Sequence, residues 1–267
     1  MNSTFQQLAS HRELLWILTQ RELKLRYRGS VLGFLWSVLI PLFMALIYVI
    51  FLRLLGGRGV PLTAIIIGVF AWQFTVQCVN SGLFSISGNS NLVKKVYFPR
   101  VILPLSATLA NLVTYALSLL VQFPFLAVLY HFMGGSFSGW IFLLPVVMLL
   151  HFVFNFALTL LLAAINVYVR DAQHLVGILL SAWFFVSPVM YNLSFVNRVA
   201  EHHPWIPHLF LLNPLTVILT AYRAVITEGV SFPWEWSSLL SMGGIVVLAL
   251  YSWRLFQRLQ KDFADLL

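Results

Sequence analysis

Side chains able to do acid, base or metal chemistry are few in this sequence, and they do not converge. His151 lies in a long apolar run, where a neutral, hydrogen-bonded packing histidine is the ordinary outcome. His202, His203 and His208 share a proline-rich stretch and read as solvated side chains rather than a metal set. Asp171 with His174 is too little for an intramembrane active site, which needs a nucleophile with its base, or a metal. The single cysteine, Cys78, excludes an internal disulfide and a paired-cysteine metal site. None of the four lysines precedes Ser or Thr, so the chain has no G-x-x-x-x-G-K-[ST] phosphate loop. A nucleotide-driven step would need a second chain. No residue is assigned as catalytic, cofactor-binding or metal-ligating.

Two faces at helical spacing offer weaker chemistry. Gly177, Ser181, Phe184, Pro188 and Tyr191 fall on one, and Gly33, Ser37, Ile40, Met44 and Tyr48 on the other. Small and hydroxyl residues can line a path, and aromatic faces stack on sugar rings. Close helix packing accounts equally well for the Gly and Ser members. Many other aromatics, among them Trp36, Trp72, Tyr130, Trp140, Tyr168, Trp236 and Trp253, read as an interfacial belt.

The elements that carry these faces follow from composition. Apolar residues make up 60% of the chain and charged residues 9%, against about 25% charged in soluble domains. Lipid must be the solvent. Residues 1–30 are mixed and basic, with Leu14, Ile17, Leu18 and Leu25 roughly on one face, and read as an amphipathic helix in the headgroup plane. The first 28 residues lack the apolar core of a cleavable signal. Apolar spans are expected over Val31–Leu52 (with Pro41 inside), Thr63–Leu83, Leu103–Phe132, Trp140–Tyr168, Leu175–Tyr191 and Trp236–Trp253. Gly56–Gly57–Arg58–Gly59 is expected to turn, and Gly134–Gly139 to form a tight loop. The expectation is an all-α integral membrane protein: an interface helix over 1–30, then a six-span transmembrane domain over 31–267.

Residues 192–235 hold Pro204, Pro207, Pro214 and Pro233. Asn213–Pro214 is a helix start, with Asn as cap and Pro in the first turn, and Gly229 is a plausible stop. Leu215–Ile226 would be about 18 Å long, too short for about 30 Å of hydrocarbon. It reads as a re-entrant or interfacial helix. Charge supports this. Six spans put twelve cations on the side of residues 1–30 and four on the other, accounting for all 16 Lys and Arg. A seventh span would leave about nine against seven. Both ends are therefore expected in the cytoplasm. The spans carry no central Asp, Glu, Lys or Arg, and no internal repeat is visible, which argues against an ion-coupled secondary transporter or channel, the alternative class.

The run Arg21–Glu22–Leu23–Lys24–Leu25–Arg26–Tyr27–Arg28–Gly29–Ser30–Val31–Leu32–Gly33–Phe34–Leu35–Trp36–Ser37 resembles the opening of the type-2 ABC exporter permeases, above all those for O-antigen, capsular polysaccharide or teichoic acid. Lys94–Lys95–Val96–Tyr97–Phe98–Pro99–Arg100 with Leu103–Pro104–Leu105 resembles their second cytoplasmic loop. Arg170–Asp171, Ser187–Pro188–Val189–Met190–Tyr191 and Asn213–Pro214–Leu215 match in order. The resemblance covers nearly the whole chain.

It implies a homodimeric permease of the bacterial inner membrane, not an enzyme, working with two copies of a separate ATPase that holds ATP and magnesium. It implies ATPase coupling through Arg21, Lys24, Arg26, Arg28, Lys94, Lys95, Tyr97 and Arg100. It implies a channel at the dimer interface from spans one and five, lined by Gly33, Ser37, Met44, Tyr48, Gly177, Ser181, Phe184, Pro188 and Tyr191. It implies short outer helices that close the exit, with Asn213, Pro214, Tyr222 and Arg223 at that gate. The cargo implied is a lipid-linked polysaccharide, O-antigen first, with no nucleic acid involved.

Overall fold

The computed structural model describes residues 9–54, 61–169, 171–199, 203 and 205–267, without the side chains at positions 52, 53, 198 and 199. The expected turn Gly56–Gly57–Arg58–Gly59, with Arg170, His202 and Pro204, lies outside these residues, as do the side chains of Arg53 and Arg198. The fold is all-α. Among the described residues the one β feature is an isolated antiparallel bridge between Phe137 and Thr227.

The helices in chain order are α1 (Arg12–Tyr27), α2 (Trp36–Leu54), α3 (Leu62–Phe84), α4 (Ser90–Lys95), α5 (Ile102–Met133), α6 (Leu144–Tyr168), α7 (Ala172–Val186), α8 (Leu193–Val199), α9 (Trp205–Leu211), α10 (Pro214–Ile226), α11 (Trp236–Leu259) and α12 (Phe263–Leu266). Five of them, α2, α3, α5, α6 and α11, are long and apolar enough to cross a membrane. The first of these starts later than its apolar run suggests. Gly29 and Gly33 adopt φ of +76° and +47°, a left-handed conformation that glycine takes without steric cost. Residues 33–35 form a 3-10 turn, and the α-helix begins at Trp36.

At the centre lies α3, buried almost all round, with α2, α5 and α6 packed along it. The longest helix-to-helix contact joins α6 to α11. Four small residues of α11, Ser237, Ser238, Ser241 and Ser252, are buried along with Ile245 and Phe256.

Only 15 residues form α7, about 22 Å of helix. It is an apolar helix shorter than the five spans. Its first turn lies beside the end of α6, and the turn Ser187–Tyr191 that follows it reaches the start of α3. The break frees backbone carbonyls in apolar surroundings, where each must find a donor. Arg223 of α10 supplies them. Its Nη2 donates to Val189 O (3.0 Å), its Nη1 to Tyr191 O (2.9 Å), and its Nε to Ala64 O in the first turn of α3 (3.1 Å). Arg223 is 3% exposed.

The start read at Asn213–Pro214 is observed. Asn213 Oδ1 accepts from Leu215 N (3.1 Å), and Pro214 opens the helix. Asn213 also faces α7, accepting from Trp183 Nε1 (3.0 Å) and donating to Ser187 Oγ (2.9 Å). At its other end α10 meets the loop after α5, through the Phe137–Thr227 bridge and a 2.7 Å hydrogen bond between Tyr130 OH and Thr227 Oγ1. The preceding α9 meets α10 at 88°. Residues 214–226 thus form one short helix, fastened to α7 at its start and to the loop after α5 at its end.

The close approach of Ser187–Tyr191 to α3 depends on Gly68. A Cβ there would collide with Val189 O and lie 2.7 Å from Arg223 Nη2. Gly68→Ala is expected to destabilise the protein by about 1–3 kcal/mol through overpacking. Gly177→Ala, where a Cβ meets nothing within 4 Å, serves as the control. Thermal unfolding of both variants in detergent checks this. Equal midpoints would remove Gly68 from the anchor.

Candidate functional site

The face that gathers the cations is built on its own small core. Leu18 of α1, Val93 of α4, Phe98, Val101 and Ile102 pack with Ala163 and Val167 of α6, Phe256 of α11 and Phe263 of α12. This cluster is separate from the larger core inside the span bundle. Over it lies a groove of about 580 Å³ between residues 93–100 and residues 257–264. Lys94, Lys95 and Tyr97 stand exposed at its rim, Tyr97 completely so. These three are the residues of this loop that the sequence analysis set toward a partner. Arg100 is placed differently: its Nη1 donates to Gln260 O at the end of α11. It ties the two walls of the groove together.

The cations of α1 divide in the same way. Lys24 and Arg28 are exposed, and Arg21 Nη1 donates to Asn89 Oδ1 (3.0 Å) beside α4. Arg26 turns into the bundle. Its Nη1 donates to Gln77 Oε1 (3.1 Å) on α3 and to Thr114 Oγ1 (3.4 Å) on α5, and its Nη2 to Asn111 Oδ1. Asn111 Nδ2 in turn donates to Ser81 Oγ (2.7 Å). A cation among neutral oxygens near lipid is costly, and three side-chain oxygens offset this by accepting from its two terminal nitrogens. Arg26 therefore pins α1 to α3 and α5 rather than greeting a partner. Sequence reasoning missed Gln77, Ser81, Asn111 and Thr114. The available signal was polar side chains interrupting two apolar runs.

The two faces read at helical spacing hold only in part. Gly33 sits in the turn before α2, and Ser37 is buried, bonded to Tyr27 OH (2.6 Å). Met44 and most of the outer surface of α2 are exposed. On α7, Gly177 and Ser181 are exposed, while Phe184 turns inward. Its ring lies 5.2 Å from Tyr48 and 5.5 Å from Trp72. Pro188 and Tyr191 lie beyond the helix end, in the turn that Arg223 holds. Trp72 and Tyr130 are buried too, and so are not belt residues.

At the expected exit, Tyr222 and Arg223 are buried core residues, and Asn213 and Pro214 are hinge points of the fold. His151 is the packing histidine the sequence suggested. Its Nε2 lies 2.8 Å from Thr75 Oγ1 and its Nδ1 3.4 Å from Tyr222 OH. His208 pairs with Glu235 at 3.0 Å and stacks on Trp236.

Among the described residues the protein is a multi-span apolar bundle with a cluster of cations on one face. The chain belongs to the ABC-2 type transporter family, whose pattern matches residues 13–227. It is 35% identical over 266 residues to an O-antigen export system permease protein RfbA of Myxococcus xanthus, covering 97% of each chain. It is 29% identical over 258 residues to a protein of the same name in Klebsiella pneumoniae, covering 96% of this chain and 95% of that one.

Removing the Arg26 pin tests the division among the α1 cations. Arg26→Ala is expected to cost about 1–3 kcal/mol, because it leaves buried amide oxygens without a donor. Arg28→Ala, at an exposed position, should stay within about 0.5 kcal/mol. Thermal midpoints in detergent read both, and similar losses would refute the pin.

Proposed function

We propose that this chain is the membrane-spanning permease of an ATP-driven exporter of lipid-linked O-antigen, acting as a homodimer with two copies of a separate ATP-binding subunit. The observation that carries the cargo assignment is end-to-end similarity to O-antigen export permeases from two bacterial sources. The basic face is the cytoplasmic one, following the rule that cations stay inside.

Homodimerisation is supported by what one copy lacks. The cavity among α2, α3 and α5, which touches Ser37, Gln77 and Thr114, measures about 10 Å³. That is room for one water at most, so a glycan has to pass between copies. Outer surfaces are exposed on α2, α5, α6, α7 and α11 alike, and the family resemblance selects α2 and α7 for this role. Apart from Ala172, Val176, Leu180 and Phe184, most of α7 faces outward, including Gly177 and Ser181.

The mechanism then follows from how this chain is braced. Movement of the ATP-binding subunits is received at Lys94, Lys95 and Tyr97 and at α1. Because the basic-face core and Arg26 tie those elements to α3, α5 and α6, the push moves the bundle as a body and parts the two copies along α2 and α7. Small and hydroxyl groups there hold sugars weakly enough to let the chain slide. On the outer side α10 moves with the bundle, since Arg223 and Asn213 fasten it. The exit is closed by α8 and α9.

Two measurements test this. With Cys78→Ser as background, Gly177→Cys should form disulfide-linked dimers in membranes, and Leu149→Cys on α6 should not. The reverse pattern would place the interface elsewhere. Lys94→Glu with Lys95→Glu should keep the complex membrane-inserted and lower export at least about tenfold, the scale of losing close charge pairs. Undiminished export would end the coupling assignment.

A further inference from the structure

The residues that follow the last span do not trail away from the protein. After α11 the chain turns at Gln260 and folds back as α12. Phe263 is fully buried, its ring 5.5 Å from Phe256 and 6.4 Å from Tyr168. Asp262 is drawn to α6, where its Oδ2 accepts from Tyr168 OH (3.1 Å). That removes a carboxylate from the groove side. Arg100 closes the joint by donating to the Gln260 carbonyl, where the negative end of the α11 dipole also favours a cation.

The result is a second wall facing residues 94–97, made of Gln257, Gln260, Lys261 and Ala264. The groove lining contains Lys94, Lys95, Lys261 and Arg100 and no carboxylate. Among the described residues no acidic side chain forms an ion pair with any of the three lysines. An open, donor-rich cleft of about 580 Å³ with fixed walls is shaped for an acidic segment rather than for lipid tails.

We infer that residues 257–264 form one half of the docking site for the ATP-binding subunit, and that an acidic segment of that subunit seats between Lys261 and Lys94–Lys95. This rests on the permease reading above and extends it. Docking is a clamp with two walls, so that the end of α11 is driven directly, together with α4.

Site-specific photocrosslinking in the intact complex tests it. A photoreactive phenylalanine analogue is placed in turn at Ala264, at Tyr97 and, as a control on the opposite face, at Trp234. Cross-links to the ATP-binding subunit from both 97 and 264, and none from 234, are expected. Cross-linking from 264 alone would also support the inference. Cross-linking from 97 but not 264 overturns it and leaves the permease reading standing. Cross-linking from neither overturns both. Lys261→Glu should lower the cross-link yield at 264 about tenfold at unchanged membrane level, and an unchanged yield would overturn the acidic occupant.

Discussion

A short helix in an apolar bundle leaves carbonyls that water cannot reach, and the outer half of this protein is organised around satisfying them. Where α7 ends at Val186, Arg223 holds Val189 and Tyr191 and fastens them to the first turn of α3. No carboxylate among the described residues balances that guanidinium. Three backbone oxygens do, each carrying only part of a charge. A lysine could not reproduce this, because its donors do not lie in a planar fork. The arrangement explains why α10 must enter the bundle, why Asn213 caps it against α7, and why α3 carries glycine at position 68.

The inner half follows a different rule. There the protein assembles a core of its own outside the main bundle, from α1, α4, the ends of α6 and α11, and α12. Two fixed points, Arg26 and Arg100, join that core to the spans and to itself. Cations read from sequence as one coupling set thus divide by task. Lys94 and Lys95 stand exposed, whereas Arg26 and Arg100 are bonded to neighbouring elements.

The spans were largely legible because lipid imposes length and composition, which leave a plain record in a chain of 60% apolar residues. The short helix α10 was legible from its start, where Asn213 caps it and Pro214 opens it. The faces of α2 and α7 were less so. Helical spacing extrapolates through a run, but Gly33 and Pro188 lie where the helix has not begun or has already ended. Phe184 was assigned to a path, yet the nearby Trp72 and Tyr48 draw it inward. The Arg26 site was hidden because its partners lie 51, 85 and 88 residues away in sequence.

The basic-face core joins Leu18 near one end of the sequence to Phe256 and Phe263 near the other. During synthesis, every span can enter the bilayer before that core exists. The surface on which Lys94 and Lys95 stand is completed only when residues 256–263 have left the ribosome.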